Sequence, residues 1–184
     1  MSHSHNLFVN SADQLAFSAS STTITDRMAH PDWTRLFQIT TKNLKHSWLL
    51  EFDENLLHNS QKPGWKKCMV NSSARFRCTK CGRGWSSNMV RVVCHMRLAN
   101  GKGVVKVRPS RQNCKVCEEG PMEEPSITSE NIETLLKNLV EKIRMKCYNE
   151  DLGRKKEHFR SFDGKLPHEP AHCEACMQGI CPKR

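Results

Sequence analysis

Carboxylates are missing from a third of this chain. Between Asn55 and Cys117, 63 of the 184 residues, there is no Asp or Glu. The same stretch carries fourteen cations, from Lys62, Lys66 and Lys67 through Arg97 and Lys102 to Arg111 and Lys115. The formal net charge is +10 at pH 7, and an acidic patch, Glu118, Glu119, Glu123 and Glu124, follows at once. Such a segment implies an acidic partner: RNA, an anionic membrane surface or an acidic protein segment. Aromatics are also scarce, 7% of the chain with Tyr148 as its single tyrosine, so a core of this length would be thin. Cross-links or bound metal are the expected supplement. No run approaches the roughly 18 apolar residues of a membrane span, and the N-terminus lacks the basic start and apolar stretch of a signal peptide. The chain therefore reads as cytoplasmic, with no transmembrane anchor after residue 181.

What the chain has in quantity is cysteine, ten in all. In a cytoplasmic setting thiols stay reduced, and clustered cysteines bind metal more often than they form disulfides. Three Cys-x-x-Cys pairs stand out: Cys78/Cys81, Cys114/Cys117 and Cys173/Cys176. Two intervening residues let both sulfurs face one tetrahedral ion while the turn's amides donate to them. A redox role is disfavoured, because no βαβ pattern surrounds any pair and Gly82-Arg83-Gly84 would break the helix that a redox motif opens. Zinc is the expected metal. Six sulfurs fill one and a half tetrahedral sites, so two zincs need further ligands. Cys94, His95, His168, His172 and Cys181 are the candidates, while Cys68 and Cys147 read as buried or spare thiols. The gaps between pairs, 32 and 55 residues, exceed those of a small zinc ribbon, so intervening elements must bring the pairs together.

The pattern along the chain predicts an α+β fold: a small zinc-stabilised antiparallel β domain with a short N-terminal helix and one long helix packed on it. Residues 1–29 read as a disordered tail, 30–181 as the zinc-binding domain and 182–184 as its end. A helix is expected in 30–44, capped by Asp32, with Trp33, Leu36, Phe37, Thr40 and Leu44 on one face. The stretches 47–52, 75–78, 89–98 and 103–108 read as strands, and Asn100-Gly101 as the turn of a β-hairpin between the last two. Ile132, Leu135, Leu136, Leu139, Val140 and Ile143 repeat at helical spacing over 129–148, with Ser129 as N-cap.

These features together resemble the three-CxxC zinc-finger proteins and, among them, the receptor-transporting protein family. The resemblance rests on "WTRLFQ", "GWKKCMVNSSARFRCTKCGRGWSSNMVRVVCH", "RQNCKVC", "ITSENIETLLKNLVEKI" and "HCEACMQGIC". It implies zinc at Cys78, Cys81, Cys114, Cys117, His168, Cys173 and Cys176, with Cys94 and Cys181 as completing ligands: nine candidates for eight places. It also implies an accessory or chaperone role that helps G-protein-coupled receptors of the odorant or taste type reach the plasma membrane, while the basic surface itself allows peripheral contact with a membrane. The alternative is RNA binding, with phosphates meeting Arg75, Arg77, Lys80, Arg83, Arg91, Lys106 and Arg108, and bases stacking on Phe76, Trp65 or Trp85. No nucleophile or acid–base signature is present, so neither an enzyme nor a small-molecule substrate is expected.

Overall fold

The computed structural model describes residues 31–60, 62–117, 119–153 and 169–181. The tail expected over 1–29 and the end at 182–184 lie outside the described residues. A helix α1 (Pro31–Thr41) leads into strand β1 (Ser47–Phe52), and three long strands follow: β2 (Lys66–Arg77), β3 (Gly84–Ala99) and β4 (Lys102–Pro109). A two-residue strand β5 (Gln112–Asn113) pairs with β6 (Met122–Glu123). Helix α2 (Ser129–Cys147) comes next, and a 3-10 turn (Pro170–His172) enters the short helix α3 (Glu174–Met177). No helix among the described residues is long and apolar enough to cross a membrane.

The main sheet has the order β1-β4-β3-β2. Strands β2, β3 and β4 form the expected antiparallel meander, closed at its second turn by Asn100 (φ 51°) and Gly101 (φ 74°). Both central residues of that turn adopt positive φ, the mirror-image geometry that matches strand twist. The sheet is mixed rather than wholly antiparallel, because β1 joins the outer edge of β4 in parallel, Ser47 opposite Lys102 through Phe52 opposite Val107. A parallel neighbour needs a long crossover rather than a hairpin, and the chain between β1 and β2 supplies it. Strand β2 also begins nine residues earlier than its apolar pattern announced. Its inward positions are Cys68, Val70, Ser72, Ala74 and Phe76, and the serine and alanine among them disguise the alternation.

Both helices pack on one face of the sheet. Trp33 and Phe37 of α1, Ile132, Leu135, Leu136, Leu139 and Ile143 of α2, and Trp48, Leu50, Val70, Val92, Met96, Val105 and Val107 of the strands form one buried cluster. Each buried aliphatic contributes roughly 1.5–3 kcal/mol, so α2 is held by its apolar face more than by intrinsic propensity. Its N-cap is Thr128, whose hydroxyl accepts from the Asn131 N–H at 3.4 Å, and Ser129 is the first helical residue. Asp32 lies within the first turn of α1 and pairs with Arg35 instead of capping.

The single tyrosine closes this layer. Its hydroxyl accepts from Trp48 Nε1 at 2.9 Å and meets His46 Nδ1 at 3.3 Å, tying the end of α2 to β1. Trp48 can lie flat there only because its partner in β4 is Gly103, where a Cβ would sit 2.2 Å from the indole ring. Gly103→Ala should therefore displace Trp48 and cost about 2 kcal/mol or more of stability, read as a lower denaturation midpoint in urea; an unchanged midpoint would contradict this packing.

Candidate metal centre

Strand β2 ends directly in the first Cys-x-x-Cys knuckle. The Cys78 N–H donates to the Arg83 carbonyl at 2.8 Å, the Gly82 N–H to the Cys78 carbonyl at 2.9 Å, and the Cys81 N–H to Cys78 Sγ at 3.4 Å. Gly82 takes φ +75°, a conformation that residues with a Cβ rarely adopt, and so lets the turn fold back into β3. The β5–β6 ribbon presents the second knuckle. Gln112 pairs with Glu123 and Asn113 with Met122, so Cys114 leaves the ribbon facing the first knuckle. The buried Glu123 carboxylate then clamps the two together, accepting from the Thr79 N–H at 2.7 Å and its hydroxyl at 2.8 Å.

Cys78, Cys81, Cys114 and Cys117 consequently converge, all four sulfurs within 4.8 Å of one another. Cys78 Sγ lies 3.8 Å from Cys117 Sγ, and Cys81 Sγ 3.8 Å from Cys114 Sγ. Thiolates placed about 2.3 Å from a tetrahedral zinc are ~3.8 Å apart, so the spacing fits the ion. The electrostatics point the same way. The backbone N–H of Val116, joined by that of Cys117 and opposed by burial, pulls the Cys114 thiol down to about 6. The adjacent Cys81 sulfur, with burial and Cys78 adding, pushes the Cys117 thiol up to about 12. Four sulfurs this close ionise together only around a cation.

Cys173, Cys176 and Cys181 form a second cluster. Burial, and then the Cys181 sulfur, push the Cys176 thiol up to about 12; burial also raises Cys173. Gly179 (φ +67°) turns the chain so that the Cys181 N–H reaches the Ala175 carbonyl at 3.3 Å. This cluster is fastened to the sheet by Glu174, the residue just inside the pair. Its carboxylate bonds the buried guanidinium of Arg108 at the end of β4 and accepts from the Arg111 N–H at 2.8 Å, while its own N–H donates to the Arg111 carbonyl at 3.1 Å. Gln112 makes a β-bridge to Cys173 while pairing with Glu123, so β5 lies between the two clusters.

Seven of the nine expected ligands thus gather into two groups of four and three. His168 lies outside the described residues. Cys94 joins neither cluster: it faces Cys68 across β2 and β3, Cα to Cα 5.0 Å, and the two form a disulfide. That bond runs against the expectation of reduced thiols, and its cause is the strand register, which makes the two cysteines direct partners. His95 is buried among cations on the sheet's other face, where burial, and then Lys67, push its pKa down. His172 Nδ1 meets Asn113 Oδ1 at 2.9 Å. Of the cations expected to meet a partner, Arg75, Arg77 and Lys80 are exposed and Arg83 and Arg91 half-buried. Arg108 is instead buried against Glu174, and Lys106 is bound to Asp53 at 2.9 Å. Phe76 is buried and stacks on Trp85 with ring centroids 5.5 Å apart. The roles of Glu123 and Arg111 carried no sequence signal; Glu174 had one, its place between two paired cysteines.

A four-stranded sheet with two thiolate clusters at one end defines the class, a zinc-binding domain of the three-CxxC ribbon type. The family described as a zinc-binding domain of that type matches residues 71–179. Among curated proteins, the chain is 40% identical over 157 residues to "Receptor-transporting protein 3" of Mus musculus, covering 81% of this chain and 33% of that protein. It is 36% identical over 154 residues to "Receptor-transporting protein 1" of Homo sapiens, covering 81% and 59%, and 36% identical to "Receptor-transporting protein 2" of Mus musculus, covering 81% and 69%. No solved structure matches. The chain belongs to the receptor-transporting protein family, and it spans a third to about two thirds of the length of these relatives.

Two outcomes are expected. Cys81→Ser should lower bound zinc from two equivalents to one in native mass spectrometry, leaving the second cluster loaded; retention of both would disprove the assignment. Glu174→Gln leaves the Arg108 charge buried and unpaired, and should cost about 3 kcal/mol in urea unfolding.

Proposed function

We propose that this chain is a zinc-organised accessory protein that binds multi-span receptors of the G-protein-coupled type and promotes their transport to the plasma membrane. The observation that carries the reading is the similarity to receptor-transporting proteins over 81% of the chain. In this reading one zinc is held by Cys78, Cys81, Cys114 and Cys117. A second is held by Cys173, Cys176 and Cys181, with His168 as its fourth ligand. The metals' work is structural: they hold the knuckles rigid and open no position for catalysis. Beside the clusters two large apolar side chains stand in solvent, Val116 at 63% and Met177 at 56% exposure. In this reading these two side chains, one beside each cluster, meet apolar receptor segments.

RNA binding is the second reading, supported by Arg75, Arg77 and Lys80, which no described carboxylate pairs. Its weakness is the lack of free rings, because Phe76 and Trp85 stack on each other and Trp85 Nε1 donates to Gln112 Oε1 at 2.9 Å.

Co-expression with an odorant-type receptor should raise surface labelling of intact cells. Val116→Asp together with Met177→Asp should remove most of that gain while leaving two bound zincs. Unchanged labelling with the native chain would end the receptor reading.

A further inference from the structure

The two edges of the main sheet differ. The outer edge of β2 is closed at several points. The Lys67 carbonyl accepts from Lys146 Nζ at 2.5 Å, and the Ser73 carbonyl accepts from Asn131 Nδ2 at 3.4 Å. Arg75 exchanges both backbone bonds with Ser126, at 2.9 and 2.8 Å. The register of β2 also shifts between Ser72 and Ala74, an irregularity that spoils an edge as a template for another strand.

Strand β1 has no such protection. It pairs with β4 in unbroken register and contains neither proline nor lysine. The Asp53 N–H continues this ladder by donating to the Val107 carbonyl at 3.1 Å. In a parallel ladder alternate residues supply the bonds, so Ser47, Leu49 and Glu51 turn their backbone groups toward β4. Those of Trp48 and Leu50 point outward, and no described residue takes them up. Open N–H and C=O groups on an apolar edge invite a further strand. Leu49 adds an apolar side chain there, 48% exposed on the face turned away from the helices.

The charges flanking β1 identify the strand that fits. Lys42 and Lys45 precede it, exposed and in no ion pair with a described carboxylate. Glu51, Asp53 and Glu54 lie at its other end. Asp53 and Glu54 bind Lys106 and Arg111, while Glu51 enters no ion pair, because Lys106 opposite it in β4 is held by Asp53. A strand basic before and acidic after is complementary to itself when reversed. Laid antiparallel about a twofold axis at Leu49, two copies set Lys45 of each against Glu51 and Asp53 of the other. Trp48 of each copy exchanges both backbone bonds with Leu50 of the other, and the two Leu49 side chains meet at the axis. An all-acidic or all-basic strand would suit one end of β1 and be repelled at the other. We infer that β1 is a self-association edge, through which a second copy of this chain extends the sheet across that axis. Strands β1, β2 and β4 run in one direction, so the paired copies carry their zinc knuckles at opposite ends of the shared sheet.

The test is sedimentation velocity of the zinc-loaded full chain over a concentration series, with hydrogen exchange measured on the same samples. The mass should rise from 21.1 kDa toward twice that value, with a dissociation constant on the order of 10 µM, as suits a small edge-pairing interface. The Trp48 and Leu50 amides should exchange more slowly as the dimer forms. Leu49→Lys sets like charges against each other at the axis and should raise the dissociation constant about tenfold or more. Lys45→Glu should weaken the dimer severalfold, and adding Glu51→Lys should restore part of the loss. Two bound zincs in native mass spectrometry check that each variant is folded. A chain that stays monomeric at about 1 mM overturns the inference. So does a dimer that Leu49→Lys leaves unchanged, or one whose Trp48 and Leu50 amides exchange as fast as in the monomer, because another surface then joins the copies. Amides already protected in the monomer overturn it too, since a further segment of the same chain then fills the edge. If protection appears only in a monomeric chain co-purified with a receptor, the edge belongs to the receptor and self-association falls.

Discussion

Everything at the functional end depends on one electrostatic constraint, that four sulfurs held this close cannot all be thiolates without a cation. Cys78 and Cys117, and Cys81 and Cys114, sit 3.8 Å apart. Hydrogen bonding with the Cys81 sulfur, then burial, raises the Cys117 thiol, while backbone N–H groups lower Cys114. Zinc resolves the conflict, and with it two chain segments more than thirty residues apart become one rigid corner. Few apolar contacts could do this instead, since the core is spent on α1, α2 and the inner sheet face. Ala74, Phe76 and Val90, with Trp85 and Ile127 packed against them, form a separate small cluster.

The two clusters are not independent bodies. Strand β5 is only Gln112 and Asn113, yet it pairs with Glu123 on one side, bridges to Cys173 on the other and leads straight into Cys114. Glu123 and Glu174 repeat the same device, one carboxylate per cluster accepting a backbone N–H and fixing the knuckle's approach. Such supporting contacts orient metal ligands and decide how well the ligand set is preorganised.

Much of this was legible in the chain. The i, i+3, i+4 repeat marked α2, Asn100-Gly101 marked its hairpin, and the paired cysteines marked the metal. What escaped had physical reasons. The parallel docking of β1 depends on a glycine, Gly103, that leaves room for Trp48, and no periodicity reports a close approach. The disulfide partner of Cys94 was hidden because Cys68 lies in a strand whose inward positions include Ser72 and Ala74 and so do not read as apolar. The fate of Arg108 was equally hidden. It belonged to a run of cations, and only the fold shows that Glu174 takes it inside.

The basic stretch therefore does two kinds of work. Arg108 and Lys106 are internal counter-charges, while Lys67, Arg75, Arg77 and Arg97 enter no ion pair with a described carboxylate. The central claim, that the sulfur clusters are zinc sites which build the functional end, is tested most directly by zinc-edge X-ray absorption on the purified full chain. The account predicts tetrahedral zinc with mostly sulfur neighbours at about 2.3 Å, averaging between three and four per ion. A shell dominated by oxygen and nitrogen, or a folded chain without zinc, would contradict it.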